Sequence, residues 1–524
     1  MFQADGTLVR SMTTNYVIQH KDVTNSLWDL FAGAINVGDV DWVGGSFDDK
    51  FYFQAKTDSI YNTIDGKGGT DSFFLARDSQ FYTFTNYNAV KQSVTVTATA
   101  TDTKTATTLT SIEQFVFTDK TLTFSQLFEY VLQITGSSGS DILRGNDRNN
   151  IINGGDGNDI LIGGFGNDIY IVDTNSDTIT ESTNAGNDTV KSSVTFSLAS
   201  IANVENLTLI GAAIINGTGN ALNNRLNGNT AANQLNGGLG LDTMLGGDGS
   251  DTYYIDNIGD VVTETNAIAS TGGTDLVNNY LAAYTLGTNV ENGRIMATTA
   301  ANMTGNALNN VIYAGVGNNS MDGLAGTDTL SYQYATTTGA VGVTLNLSAL
   351  NASGQAKASG ISGADLIKGI ENIIGSNYND TLTGNAGNNV LNGLLGADIL
   401  NGGAGIDILI GGAGKDTLTG GLRNDSFDFD TYSEMGLGLT RDVITDFVRG
   451  QDKVDLSTID PNAALASNQA FTFIASTTAF SVAGQVRYSA GIIAINTDTD
   501  AATEYEIQLT GVIPAVLAAT DFVL

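Results

Sequence analysis

Cysteine is absent from the chain, which excludes disulfides and thiol chemistry. Histidine occurs once, as His20, so no HExxHxxGxxH zinc-protease helix can be written, and His20 reads as a surface residue. There is no GxSxG elbow and no Walker A loop. Basic residues are few, 22 Lys and Arg against 55 Asp and Glu, and the resulting charge of −33 repels nucleic acid and anionic membrane, which disfavours both as partners. No run of about 18 apolar residues occurs, so no membrane span is expected. The opening MFQADGTLVRSMTTNYVIQHK lacks the apolar core of a Sec signal peptide. The expectation is a chain that stays in the cytosol or leaves by a route that ignores the N-terminus.

What is present is glycine, 63 residues against two prolines, and much of it is periodic. Residues 375–428 divide without a gap into six nonapeptides: GSNYNDTLT, GNAGNNVLN, GLLGADILN, GGAGIDILI, GGAGKDTLT and GGLRNDSFD. Position 1 is always Gly. Position 6 is Asp380, Asp398, Asp407, Asp416 or Asp425, with Asn389 the one exception, and position 8 is always Leu or Phe.

Glycines at positions 1, 2 and 4 permit positive φ, so the first six residues can make a tight turn with carbonyl oxygens facing inward. Positions 7 to 9 are a strand too short to bury anything alone. It must stack on copies of itself at roughly 4.8 Å, which places like aspartates in a file at about that spacing. Two such carboxylates repel by ~3 kcal/mol at an effective dielectric near 20. The file requires a cation, and all-oxygen ligands select calcium over zinc or copper.

Taken in order, residues 1–40 show little periodicity apart from SLWDLFAGAI (26–35), which suits a short amphipathic helix. Residues 41–135 read as a β-rich module with alternating, antiparallel-type strands and two degenerate turns at Asp49 and Asp71; Tyr52, Phe53, Phe73 and Phe74 read as core. The first block, 136–171, carries Asp141, Asn150, Asp159 and Asp168 at position 6. A β spacer (172–218) leads to block 219–254, with Asn224, Asn233, Asp242 and Asp251. A second spacer (255–304) leads to a sparse block, 305–331, with Asn310, Asn319 and Asp328. A third spacer (332–374) precedes the six-repeat block. VENLTL at 204 and GTGNALNNRL at 217 return 86 residues later as VENGRI and MTGNALNNVI, so a longer unit is duplicated. Asn at position 6 keeps an oxygen without the charge, so those turns should hold calcium weakly or cap the roll. Block 375–428 should bind best and block 305–331 worst.

The nonapeptides resemble the RTX calcium-binding β-roll. Residues 429–524, with RDVITDFVRGQDKVDLS and a terminal DFVL, resemble the C-terminal domain of the serralysin family. The resemblance implies an all-β chain: tandem parallel β-roll blocks, β-rich spacers and a C-terminal β-sandwich-like domain. It implies two nonapeptides per coil, calcium between turn n and turn n+2, and further calcium near Asp446 and Asp452, with Asp498 and Asp500 a weaker candidate. It also implies an uncleaved C-terminal signal for the type I secretion apparatus, and hence an extracellular or cell-surface location. The protease motif is missing, so protease activity does not carry over. A carboxylate-only hydrolase or lyase stays open by residue type, but no acid pair stands outside the repeats, and no enzyme is expected. Two uses follow for the folded chain. It is a structural or surface component, self-assembling in a surface layer or adhering to a cell-surface glycan; alternatively, residues 1–135 are an effector or binding module carried on an export scaffold.

Overall fold

The computed structural model describes residues 133–335, 341–360, 363–461, 469–511 and 516–524, and before residue 133 a set of short strands and Ile112. The chain divides into two compact units, Met1–Ile210 and Gly211–Leu524. Among the described residues no helix is long and apolar enough to cross a membrane.

Both units are built as a position-8 rule demands. In the first, the strands Gln133–Thr135, Ile151–Asn153, Ile169–Val172, Thr189–Ser192 and Asn206–Leu209 pair in parallel as one sheet. The strands between them in sequence, Ile142–Arg144, Ile160–Ile162 and Thr178–Thr180, form another. Successive nonapeptides thus alternate between two sheets, and each strand pairs with the one two repeats on: Ile142 opposite Ile160, Ile151 opposite Ile169. Ile152, Leu161 and Tyr170, all at position 8, are fully buried, while their strand neighbours reach the surface.

Alternation of the same kind runs through the strands before residue 133. Val17–Gln19, Asp41–Val43, Asn62–Asp65 and Ala106–Thr110 pair in parallel. So do Asp29–Phe31, Lys50–Phe53, Ser72–Leu75 and Gln114–Val116. The helix expected within 26–35 is therefore not formed at Asp29–Phe31, where ladder pairing with Lys50–Tyr52 overrides local helical pattern. Among the described residues, the antiparallel pairing expected for 41–135 occurs in Tyr82–Asn88, Ser93–Ala98 and Ala106–Thr110 and between Gln114–Val116 and Thr121–Thr123. Phe73 is buried and packs edge-on to Phe115, their centroids 6.5 Å apart, as a core residue. His20, Asp49, Asp71 and the side chains of Tyr52, Phe53 and Phe74 lie outside the described residues.

In the second unit one parallel sheet runs from Gly217–Thr218 through Val311–Tyr313, Thr329–Ser331, Asn372–Ile374, Val390–Asn392, Ile408–Ile410 and Ser426–Asp428 to Lys453–Asp455 and Phe522–Val523. The spacers add rungs to it, as at Leu276–Asn279 and Asn292–Ile295. The 332–374 spacer adds an antiparallel excursion to the other sheet, Val343–Asn346 against Ala356–Gly360. After residue 428 both sheets simply continue: Thr417–Leu422 pairs with Asp442–Ile444 and that with Tyr505–Leu509, which then turns antiparallel onto Ile492–Asn496 and Gln485–Ser489.

Candidate metal site in the turns

Stacking rungs two repeats apart also stacks the turns. In block 375–428 the position-6 residues form two files, Asp380, Asp398, Asp416 and Asn389, Asp407, Asp425. Each is stitched by one recurring bond, in which a backbone N–H at position 6 donates to the Oδ1 of the aspartate one coil later. Asp398 donates to Asp416 (2.7 Å) and Asp407 to Asp425 (3.0 Å). The same bond joins Asp141 to Asp159, Asn150 to Asp168, Asn224 to Asp242, Asn233 to Asp251 and Asn310 to Asp328.

That bond occupies only one oxygen of each carboxylate. The Oδ2 atoms of Asp159, Asp168, Asp242, Asp251, Asp328, Asp398, Asp407, Asp416 and Asp425 are buried and accept nothing. An unsatisfied buried carboxylate oxygen is costly, more so beside others of its kind. Burial, with neighbouring acids adding to it, pushes Asp398 up to about 8 and Asp416 and Asp425 up to about 6. The donor set is oxygen throughout, ordered and pre-aimed, which fits a hard cation such as calcium.

The glycines explain how that oxygen is accommodated, and not wholly as expected. Gly403 at position 2 has φ +104°, as a tight turn needs. The position-1 glycines have no positive φ; a Cβ on Gly411 would lie 2.6 Å from Asp416 Oδ2, and one on Gly402 would collide with Asp407 Oδ2. Position 1 is glycine for close approach to the carboxylate.

Asparagine marks where a file begins. Asn389 Oδ1 accepts the Asn385 N–H (2.7 Å) while its amide donates down to the Glu371 carbonyl. Asn233 does the same toward the Ile215 carbonyl, and Asn310 toward Glu291. A carboxylate could not make that downward bond, so these residues cap the files. Asp141 and Asp380, which begin files without an amide, instead accept from the N–H and hydroxyl of Ser137 and Ser376.

The files extend beyond the blocks through residues the sequence reading passed over. Asp159 donates to Asp177, Asp168 to Asp188, Asp242 to Asp260 and Asp251 to Asp275, all within spacers. The sparse block gains Asp365, which accepts from Asn319 (2.7 Å), and Glu371, which accepts from Asp328 (2.9 Å). Their signal was an Asp or Glu standing two residues before a core apolar, as in NAGNDTV and TGGTDLV, without the glycine pair at positions 1 and 2. Past the last block, Asp452 continues one file, accepting from Asp425 (3.1 Å), and Asp442 the other, accepting from Asp416 (2.7 Å). Asp442 was not among the expected ligands; burial pushes it up to about 8. Asp446 lies outside both files, its carboxylate held by the N–H groups of Gly420 and Gly421 (3.0 and 2.8 Å). Asp498 and Asp500 come together with Glu504, mostly exposed.

Comparison with known proteins agrees with this geometry. The family described as RTX calcium-binding nonapeptide repeat (4 copies) matches residues 135–170, 218–253 and 302–332. The family described as Peptidase M10 serralysin C terminal matches residues 322–524. No curated protein matches the chain. Among solved structures, the AlgE6R3 subunit of the Azotobacter vinelandii mannuronan C5-epimerase is similar at 33% identity over 28% of this chain and 78% of that one, with a TM-score of 0.21. With its stacked nonapeptide turns, all-β rungs and C-terminal match, the chain carries RTX-type calcium-binding nonapeptide repeats and a serralysin-type C-terminal region.

Proposed function

We propose that this is a secreted protein whose roll folds on calcium outside the cell, that the position-6 aspartates hold the calcium, and that the folded roll serves as a structural or surface component with no catalysis of its own. The observation that carries the reading is the orphaned Oδ2 repeated along each file. Calcium supplies the positive charge that lets adjacent buried carboxylates stay ionised. Extracellular calcium modules have dissociation constants near 10⁻⁴ to 10⁻³ M. With free calcium about a hundredfold above that constant, each site adds ~2.7 kcal/mol, and four sites ~11 kcal/mol, comparable with a whole domain's stability of about 5 to 15. At low calcium those contributions vanish and the repulsion remains, so the chain is extended and suited to passage through a type I exporter, the route that the serralysin-type region favours.

Three features support a structural role. The position-6 acids are stitched into the backbone ladder by one bond repeated from turn to turn, as in a repeated structural element. Strands before residue 133 follow the same alternating, parallel order as the roll, unlike a separate effector module. Leu395, Ile399, Ile406 and Leu422 stay at least half exposed in the last block, apolar surface that a self-assembling protein can use. The test is a calcium titration of the full chain followed together by far-UV circular dichroism and light scattering. β-Structure appearing with large particles at millimolar calcium supports assembly; a monodisperse folded monomer overturns it.

A further inference from the structure

The last aspartate of two blocks has no nonapeptide above it. Asp168 closes block 136–171 and Asp251 closes block 219–254, and in each case the spacer that follows delivers two more acids to the same spot. Asp168, Glu181 and Asp188 each offer an oxygen within 4.8 Å of the others, and so do Asp251, Glu264 and Asp275. All six side chains are at least nine-tenths buried. Asp168 Oδ2, Asp188 Oδ2, Asp251 Oδ2 and Glu264 Oε2 accept no hydrogen bond, and among the described residues no Lys or Arg pairs with any of the six.

The two clusters are copies in detail. Asp168, Tyr170 and Glu181 recur 83 residues later as Asp251, Tyr253 and Glu264. In each, the tyrosine hydroxyl donates to the glutamate Oε1 and fixes its rotamer. In each, a glycine backs the cluster: a Cβ on Gly163 or on Gly246 would collide with the tyrosine hydroxyl and the aspartate Oδ2. In each, an asparagine at φ +63°, Asn203 or Asn289, donates from its amide to the backbone carbonyl of that glutamate. The second copy has four more residues between its glutamate and its closing aspartate. Those residues are absorbed in the single helical turn Ala269–Gly272, and Asp275 still arrives beside Asp251 and Glu264.

We infer that Asp168, Glu181 and Asp188, and again Asp251, Glu264 and Asp275, form a second class of calcium site, in which a spacer glutamate held by a buried tyrosine replaces the ligands of a missing nonapeptide turn. Oxygens within 4.8 Å of one another suit an ion that takes its ligands at about 2.3–2.6 Å, the calcium range. Three carboxylates around one ion exceed what any two-aspartate turn offers, and affinity rises with ligand charge. These sites therefore fill at lower calcium than the open turns and fix the junctions where blocks pass into spacers.

The inference rests on the calcium reading above, and the test separates the two. Terbium, a hard lanthanide that occupies calcium sites, emits under tyrosine excitation only when a tyrosine lies close by. The full chain carrying both Glu181→Gln and Glu264→Gln should lose most of the tyrosine-sensitised emission seen at the lowest terbium additions. It should also bind two fewer calcium ions per chain by equilibrium dialysis. If those variants do not fold on calcium, the paired Tyr170→Phe and Tyr253→Phe variant decides: its early emission should drop several-fold, and undiminished emission overturns the assignment. Calcium binding and emission both unchanged in the glutamine variant overturn this inference alone. A wild-type chain that binds no calcium overturns the calcium reading with it.

Discussion

Blocks 375–428 and 305–331 share one backbone and differ in charge. Both bury their position-8 side chains completely, Leu400, Leu409 and Leu418 in the first, Ile312, Met321 and Leu330 in the second, and both join the same ladders. In the rich block the files run Asp380, Asp398, Asp416, Asp442 and Asp407, Asp425, Asp452, acid on acid. In the sparse block they are short: Asn310 below Asp328, then Glu371, and Asn319 below Asp365. The difference teaches that apolar stacking sets the register, whereas the number of adjacent buried carboxylates sets how much negative charge a cation has to offset.

The strongest way to break that comparison is to remove calcium altogether. Stripped of calcium, the full chain should lose most of its β-type far-UV circular dichroism, since about 11 kcal/mol of linkage disappears with only four sites emptied. A native-like spectrum in excess EGTA would defeat the account. Next comes acid. In the calcium-free chain burial raises Asp398 and Asp442 to about 8 from 3.8. Groups whose folded pKa is raised contribute stability that is full below the unfolded value and lost as pH climbs through the folded one. Calcium-free stability should therefore rise as pH falls from about 8 toward 4, by up to ~1.4 kcal/mol per group per unit. Asp328, raised only to about 6, should add its share only below that pH. Far-UV circular dichroism of the calcium-stripped chain across this window checks the sign, β-type signal growing as the pH falls.

Single changes sharpen the contrast. Asp407→Ala, with aspartate or asparagine on both sides in its file, should cost roughly 3 kcal/mol in saturating calcium and flatten the binding isotherm; Asp328→Ala should cost roughly 1 kcal/mol. Denaturant unfolding at fixed calcium reads both, and equal costs would erase the distinction between blocks. The smallest effect is at a cap. Asn389→Asp turns a donor to the Glu371 carbonyl into a second acceptor, and about 1–2 kcal/mol should be lost in low calcium, read as a lower melting temperature.

Much of this was legible in the sequence, because a nine-residue period with Gly at 1, Asp at 6 and Leu at 8 allows few structures. The roll, its core leucines and the blocks' aspartates are all where that period puts them. What escaped the period were file acids whose turns lack the glycine pair at positions 1 and 2. Asp177, Asp188, Asp260, Asp275 and Asp365 keep the relation between an acid and a core apolar two residues on, joined by a position-4 glycine only at Asp188, Asp275 and Asp365, which is too common in any β-protein to be read alone. Glu181 and Glu264 were invisible for another reason: they reach the files from strand ends, and only the fold brings them to Tyr170 and Tyr253. The role of position-1 glycine was misassigned to φ, since crowding by a side chain five residues later leaves no trace in the pattern. At 26–35 a helical reading lost to strand pairing with a segment 21 residues away.

The central claim is that buried carboxylates in file, and not apolar stacking, make the fold contingent on calcium. Residue-resolved hydrogen exchange of the calcium-loaded and calcium-stripped chain compares both blocks in one molecule. The account predicts that stripping removes protection from the amides of Leu400, Leu409 and Leu418 far more than from those of Ile312, Met321 and Leu330. Protection that falls equally in the two blocks, or falls in neither, would contradict it.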